Sequence, residues 1–149
     1  MHLTLAHIGS RPASKDGFAA LTQVYIERCA AFAKCQMEAF RNEEAMADWL
    51  ARRSSRTPPV VVLLDSRGRT MTSEAFAVWL GGKRDAGAQH LFFAIGPAGG
   101  WSDAARQSAH LQLSLGAMTF AHALARLVLA EQLYRAFTIL SGHPYHAGH

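Results

Sequence analysis

Apolar residues fall into short runs that alternate with stretches of helical periodicity along the whole chain. The strand-like runs end at glycine, proline or polar residues and span residues 2–8, 35–40, 60–64, 90–95 and 111–115. Helical patterns lie between and after them and start near residues 16, 43, 72, 102 and 122. Three of these helices have candidate caps, at Asp16, at Thr72 or Ser73, and at Ser102. This alternation predicts an α/β fold in which a mostly parallel sheet is flanked by helices. Ligands in such folds bind beyond the carboxyl ends of the strands.

Two of these patterns also predict burial. In the first helical stretch, apolar side chains recur every three or four residues and predict one buried stripe, formed by Phe18, Leu21, Tyr25, Cys29 and Phe32. The β-branched run at residues 60–64 predicts a central strand that is buried on both faces.

Composition indicates one folded domain. Of the 149 residues, 50% are hydrophobic and 17% are charged, so the chain can bury a continuous core. We therefore expect a single domain over residues 1–149, in which any binding site shares the domain with any catalytic site. No segment has the length and apolar character of a membrane span, and residues 1–9 do not resemble a targeting segment, so a cytoplasmic location is expected. Cys29 and Cys35 lack metal-like spacing and suit free thiols in a reducing compartment.

The formal net charge of +4 permits nucleic-acid binding without requiring it. Five arginines surround Asp65 in the sequence and predict a basic face near the middle of the chain: Arg52, Arg53, Arg56, Arg67 and Arg69. After Asp103 the only acid is Glu131, which stands four residues before Arg135. A helical ion pair between these two residues would account for both charges without a further function.

Three loops follow predicted strands, at residues 65–68, 96–100 and 116–119. In the middle loop Gly96, Gly99 and Gly100 permit close backbone approach, so main-chain groups could contact a nucleoside or a carboxylate. The same sequence is also compatible with an ordinary turn, and it matches neither the dinucleotide fingerprint nor the P-loop.

The chain ends in a segment rich in histidine, at residues 141–149. Its rings could stack on a base or exchange a proton, and a frayed terminus is the alternative. His143, His146 and His149 stand three residues apart, but no cysteine or carboxylate cluster accompanies them, so no metal site is expected. No hydrolase motif is present either.

Four segments in the C-terminal part carry a resemblance to a known family. They are Phe-Ala-Ile-Gly at 93–96, Leu-Ser-Leu-Gly-Ala-Met-Thr-Phe-Ala-His at 113–122, Leu-Ala-Glu-Gln-Leu-Tyr-Arg-Ala at 129–136 and His-Pro-Tyr-His at 143–146. Residues 91–146 thereby resemble the RlmH family of SPOUT methyltransferases, and residues 62–65 and the first strand extend the similarity. The resemblance implies a deep trefoil knot at about residues 91–146, an obligate homodimer, and methylation of N3 of a pseudouridine in 23S ribosomal RNA, with the ribosome as partner and no role for DNA or membranes.

The resemblance also implies a site. S-adenosyl-L-methionine would be the cofactor, and the residues implied to bind it are Leu64, Gly96, Leu115, Gly116, Ala117, Met118, Thr119 and Phe120. Direct in-line transfer requires only positioning of the ring nitrogen and removal of its proton, without a covalent enzyme intermediate. For this catalytic role we select Tyr145, His146 and Arg135, with Arg126 as a further candidate for contacts with the RNA backbone or the second protomer.

Three positions depart from the family pattern. Gly99 stands where an acidic residue is usual, Ala147 stands where an arginine follows the tail histidine, and residues 41–44 replace a longer basic segment. These departures keep a second hypothesis open, in which the chain is a noncatalytic RNA- or ribosome-binding relative. Cofactor binding discriminates between the two.

Overall fold

The computed structural model describes residues 1–54 and 56–147. The strands are β1 (His2–Ile8), β2 (Lys34–Phe40), β3 (Val60–Thr70), β4 (His90–Ile95) and β5 (Leu111–Ser114). The helices are α1 (Gly17–Cys29), α2 (Glu43–Ala51), α3 (Ser73–Asp85), α4 (Asp103–Ser108) and α5 (His122–Ser141), followed by a short 3₁₀ turn at Pro144–His146. None of the described helices combines the length and apolar character needed to cross a membrane.

The strands form one sheet in the order β2-β1-β4-β3-β5, and every neighbouring pair is parallel. Helices follow the strands and cover the sheet, which confirms the predicted α/β fold class. Because all strands run in the same direction, the loops after β1, β3, β4 and β5 emerge at one edge of the sheet.

Side-chain caps fix where the helices begin, as the sequence predicts. The Asp16 carboxylate accepts hydrogen bonds from the first turn of α1, the Thr72 hydroxyl accepts one from Ala75 N, and the Ser102 hydroxyl accepts one from Ala105 N. Such bonds satisfy amides that have no partner within the helix. At its other end α5 stops at Gly142, whose φ of 73° lies in the left-handed region that glycine favours.

The core lies on both faces of the sheet. Beneath α1, α3 and α5 it contains Leu5, Phe93 and Leu129, each at most 1% exposed. On the other face Phe92 packs with Trp49 of α2. Burial on both faces accounts for the continuous apolar runs of the central strands.

The structure extends β3 beyond its predicted end. The sequence places a loop at residues 65–68, whereas β3 continues to Thr70, and its pairing with β5 shifts between Leu64 and Arg69. The four residues between them therefore form an irregularity within a strand. Gly68 is required there, because a Cβ atom would lie 2.6 Å from the Gln112 carbonyl oxygen.

The predicted buried stripe on α1 is wrong for most of its members. Phe18, Leu21 and Phe32 are 45%, 52% and 37% exposed, and the helix instead buries Thr22, Ile26 and Cys29. Periodicity identifies an apolar face, but it does not show whether the same chain covers it. Within one protomer this face is uncovered.

The structure also divides the predicted basic face. Arg52, Arg53 and Arg56 precede β3, whereas Arg67 and Arg69 belong to its far end. The strand between them spans roughly 20 Å. The two groups therefore occupy opposite edges of the sheet, and only Arg67 and Arg69 share the edge formed by the carboxyl ends.

Candidate functional site

A cavity of about 730 Å³ opens at the carboxyl ends of β3, β4 and β5. Its walls come from the segments that follow these three strands and from the first turn of α5, where His122 and Ala125 lie. Ile95 and Leu113 form part of its apolar wall, while the glycine loops expose main-chain groups. This combination suits a ligand with a flat apolar part and several polar edges.

Seven of the eight residues selected for cofactor binding line this cavity. They are Leu64, Gly96, Leu115, Gly116, Met118, Thr119 and Phe120. Ala117 lies in the same loop and is exposed, but it is not part of the cavity wall. Met118 is 82% exposed and Phe120 is 36% exposed, so this loop forms the rim of the cavity.

Trp101 shapes the cavity, although the sequence did not single it out. Its indole N–H donates to the Leu64 carbonyl at 2.9 Å and ties the loop after β4 to β3. The ring also fills the space beside Gly96, where a Cβ atom would lie 2.8 Å from two of its atoms. An aromatic residue directly after the glycine loop and before a helix cap was the available signal.

Asp65 stabilises the loop on the β3 side. Its carboxylate is 7% exposed and lies 3.5 Å from Arg67 Nε and 3.6 Å from Arg106 Nη1. It also accepts the Arg67 backbone N–H at 2.9 Å, and Arg106 donates to the Trp101 carbonyl at 3.0 Å. Asp65 is therefore neutralised by two arginines, and it holds the wall in place.

Two histidines connect the start of α5 to the ends of β1 and β4. His122 Nε2 lies 2.8 Å from the Gly96 carbonyl oxygen, and His7 Nε2 lies 3.0 Å from the Ser10 carbonyl oxygen. Since a carbonyl only accepts, both Nε2 atoms carry the proton and donate. The two rings meet edge to face at 5.6 Å. Burial lowers the pKa of His7, so this ring is neutral at physiological pH.

The residues selected for catalysis lie elsewhere, where the 3₁₀ turn at Pro144–His146 packs against α5. Arg135 Nε donates to Glu131 at 3.0 Å, which confirms the predicted ion pair, and the Tyr145 hydroxyl donates to the same carboxylate at 2.9 Å. The Tyr145 ring packs against Tyr134 with 4.7 Å between ring centres. We call Glu131, Arg135, Tyr145 and His146 the tail cluster.

The tail cluster favours a protonated tyrosine. Burial and hydrogen bonds with Tyr25 and Glu131 raise the pKa of Tyr145 well above its ordinary value. Its hydroxyl therefore acts as a hydrogen-bond donor at neutral pH. His146 Nδ1 is buried and has no hydrogen-bond partner among the described residues.

No member of the tail cluster lines the cavity. Glu131 stands nine residues after His122 in the same helix, which corresponds to about 13 Å along the axis. Within one protomer the structure thus brings the selected cofactor residues together at the cavity. In a separate place it brings Arg135 and Tyr145 together on Glu131, with His146 next to Tyr145 in the 3₁₀ turn.

Metal ligands and free thiols are the other features of the sequence that could have marked a functional site. Across residues 1–54 and 56–147, no group of three or more His, Cys, Asp or Glu side chains could hold a metal ion. His149 lies outside the described residues, so the expectation for the tail histidines stays a prediction. Cys29 and Cys35 are free thiols.

Sequence comparisons identify relatives of this chain. A family model described as "Predicted SPOUT methyltransferase" matches residues 1–146. The ribosomal RNA large subunit methyltransferase H of Koribacter versatilis is 46% identical over 149 residues, which cover 100% of both chains. The protein of the same name from Brucella abortus is 48% identical over 109 residues, which cover 73% of this chain and 64% of that protein.

One solved structure supports the fold. A probable methylase family protein from Haemophilus influenzae aligns over 97% of this chain and 67% of its own, with a TM-score of 0.53 and 9% identity. The SpoU methyltransferase AviRb from Streptomyces viridochromogenes, solved with AdoMet, aligns over 91% of this chain and 57% of its own, with a TM-score of 0.49 and 16% identity. A likeness at that level says nothing about activity. The family match, the full-length relative and the cavity beyond the strand ends agree that this chain belongs to the SPOUT methyltransferase family.

Proposed function

We propose that this protein is a cytoplasmic homodimeric enzyme that uses S-adenosyl-L-methionine to methylate N3 of a pseudouridine in 23S ribosomal RNA, within the ribosome. The observation that carries the proposal is the cavity of about 730 Å³ between three strand-following loops. The names of the relatives from Koribacter versatilis and Brucella abortus support ribosomal RNA as the substrate class. A single domain then provides both the chemistry and the RNA contacts.

The cavity fits the proposed cofactor. Leu64, Ile95 and Leu115 offer apolar surface for an adenine ring, and the backbone of the glycine loops offers polar groups for its edge. Gly96 keeps the wall close to Trp101, because any larger residue there would displace the indole. When bound, S-adenosyl-L-methionine supplies an electrophilic methyl group.

The tail cluster supplies groups for the target base. Transfer forms a bond from N3 to the methyl carbon and breaks the bond from that carbon to sulfur, while the N3 proton must leave. His146 is assigned to receive this proton at Nε2, because its Nδ1 is buried from solvent. Arg135, held by Glu131, is assigned to orient the base by donating a hydrogen bond. Tyr145, whose single O–H is already donated to Glu131, is assigned to accept one at its hydroxyl oxygen.

A second protomer reconciles the separate positions of the cavity and the tail cluster. The apolar face of α1, with Phe18 and Leu21, is exposed and lies beside α5, which carries the tail cluster. Pairing two copies through this surface would bury it and would bring the tail cluster of one protomer towards the cavity of the other. We also propose the trefoil knot that the family resemblance implies. It is supported by the path of the chain after the edge strand β5, which returns to the loop after β4, where His122 contacts the Gly96 carbonyl oxygen.

The first experiment separates the enzyme from a noncatalytic relative. Calorimetry with S-adenosyl-L-methionine is expected to show micromolar or tighter binding. Ribosomes that lack the modification should gain a reverse-transcriptase stop at the target after treatment with the protein, because N3 methylation blocks the pairing edge of the base.

Tyr145→Phe and His146→Ala should bind the cofactor as the wild type does but lose turnover at least about tenfold. Wild-type turnover in both variants would remove the tail cluster from the mechanism. Ribosome binding without cofactor binding would favour the noncatalytic relative, which the Gly99 and Ala147 departures motivate.

A further inference from the structure

Arg126 is a half-buried cation that the proposed mechanism does not use. It lies on α5 four residues after His122, so the two side chains share one side of the helix. Within the described ranges, no carboxylate lies within 4 Å of its guanidinium, and no hydrogen bond to it is formed. The other half-buried arginines, Arg106 next to Asp65 and Arg135 in the tail cluster, both have carboxylate partners.

The surroundings of Arg126 do not compensate for its burial. Burial lowers its pKa, and Asp16 offsets this only from a distance, since its carboxylate accepts hydrogen bonds from Phe18 N and Ala19 N. The nearby His7 is lowered in pKa by burial and also by the charge of Arg126. None of the Arg126 guanidinium nitrogens is among the buried side-chain atoms that lack a partner in the described chain, so its N–H groups reach solvent and are open to a partner from outside the protomer.

The position of Arg126 narrows the identity of that partner. The preceding residue, Ala125, and His122 both line the cavity, so Arg126 stands directly beside it. It faces the loop between β1 and α1, where Arg11 and Lys15 are exposed to solvent. A guanidinium beside the cavity, next to a loop that carries solvent-exposed cations, is suited to an oxyanion on a larger polyanion.

We propose that Arg126 binds an oxyanion at the mouth of the cavity, and that this oxyanion is a phosphate of the RNA strand next to the target nucleotide. The inference rests on the proposed function for the nature of the substrate. Its role is binding: the guanidinium fixes the backbone of the RNA, and the tail cluster acts on the base. The carboxylate of S-adenosyl-L-methionine is the other possible source of the oxyanion, and binding measurements on the Arg126 variants distinguish the two.

The test compares Arg126→Gln and Arg126→Lys with Arg84→Gln, which removes one positive charge from the end of α3 at the opposite edge of the sheet. The dissociation constant for ribosomes lacking the modification is measured by filter binding, independently of turnover. We expect Arg126→Gln to raise this constant roughly 10- to 100-fold. Arg126→Lys should give a smaller increase in the dissociation constant, because lysine keeps the positive charge but lacks the paired N–H donors of the guanidinium. Arg84→Gln should have little effect. The slope of log affinity against log salt should decrease by about one in Arg126→Gln.

Two further measurements separate the alternatives. Arg126→Gln should retain the wild-type melting temperature, dimer content and affinity for S-adenosyl-L-methionine. If it weakens binding of S-adenosyl-L-methionine but not of methylthioadenosine, which lacks the carboxylate, the phosphate assignment is overturned in favour of the cofactor. Loss of stability or of the dimer would show a structural role and overturn the oxyanion site. An unchanged ribosome affinity in Arg126→Gln would also overturn the oxyanion site, whether or not the wild type methylates. A wild type that binds ribosomes but shows no turnover would contradict only the proposed function.

Discussion

At the residue scale, Gly96 and Trp101 show how closely the cavity wall is packed. The indole lies in the space that a side chain at Gly96 would need, and its N–H satisfies the Leu64 carbonyl. The sequence identified Gly96 through its loop and the family resemblance. It did not identify Trp101, because neither spacing nor periodicity indicates that residue 101 contacts residue 64.

Gly96→Ala is expected to destabilise the fold and the cavity together. Its Cβ would meet the buried indole at 2.8 Å, so the ring must shift and strain its bond to Leu64. We expect the melting temperature to fall by roughly 3 to 10 °C. The affinity for S-adenosyl-L-methionine should fall at least about tenfold. The control is Gly99→Ala, where the added Cβ meets nothing within 4 Å. Similar losses in both variants would contradict the role assigned to the Gly96–Trp101 packing.

At the element scale, α1 shows what an amphipathic pattern does and does not establish. The sequence correctly placed the helix and its Asp16 cap, since both depend on neighbouring residues. It assigned Phe18 and Leu21 to the core, whereas the structure leaves both side chains exposed. An apolar helix face that no other part of the protomer covers is typical of an oligomer interface.

Leu21→Glu is expected to separate the proposed dimer without unfolding the protomer. Leu21 is 52% exposed in the single chain, so the charge costs little there, whereas burying it between protomers would be unfavourable. Sedimentation equilibrium should show dissociation at micromolar concentration. Turnover should fall about 100-fold or more, while cofactor binding within each protomer persists. Ala47→Glu, at an exposed position of α2 on the other face of the sheet, is the control. Full activity in a monomeric variant would refute the shared site.

At the scale of the whole molecule, stability is expected to depend on two histidines, of which His7 is buried and His90 is half-buried. Burial lowers the pKa of His7 and of His90, which lies 2.8 Å from the Thr4 hydroxyl. Because their pKa values are lower in the folded state, the unfolded chain binds more protons below about pH 6.5. Their contribution to stability is therefore complete above that pH and decreases as the pH falls.

Chemical denaturation from pH 7.5 to 5 checks this expectation at fixed protein concentration. The free energy of unfolding should decrease towards pH 5 by at most about 1.4 kcal/mol per pH unit for each histidine. The double variant His7→Gln, His90→Gln should show a flatter profile. This range lies above the ordinary carboxyl pKa values, so acidic residues contribute little to the slope. An unchanged slope in the double variant would assign the pH dependence to other groups.

The sequence by itself determined the order of strands and helices along the chain, the helix caps at Asp16 and Ser102, and the family, because these depend on short-range periodicity and on contiguous motifs. Only the tertiary structure decided that β3 continues past Leu64, that α1 presents an uncovered apolar face, and that the tail cluster stands apart from the cavity. Those features arise from contacts between distant parts of the chain, such as Trp101 with Leu64 and His122 with Gly96. Local pattern fixes which face of an element is apolar, while the path of the chain fixes what that face meets.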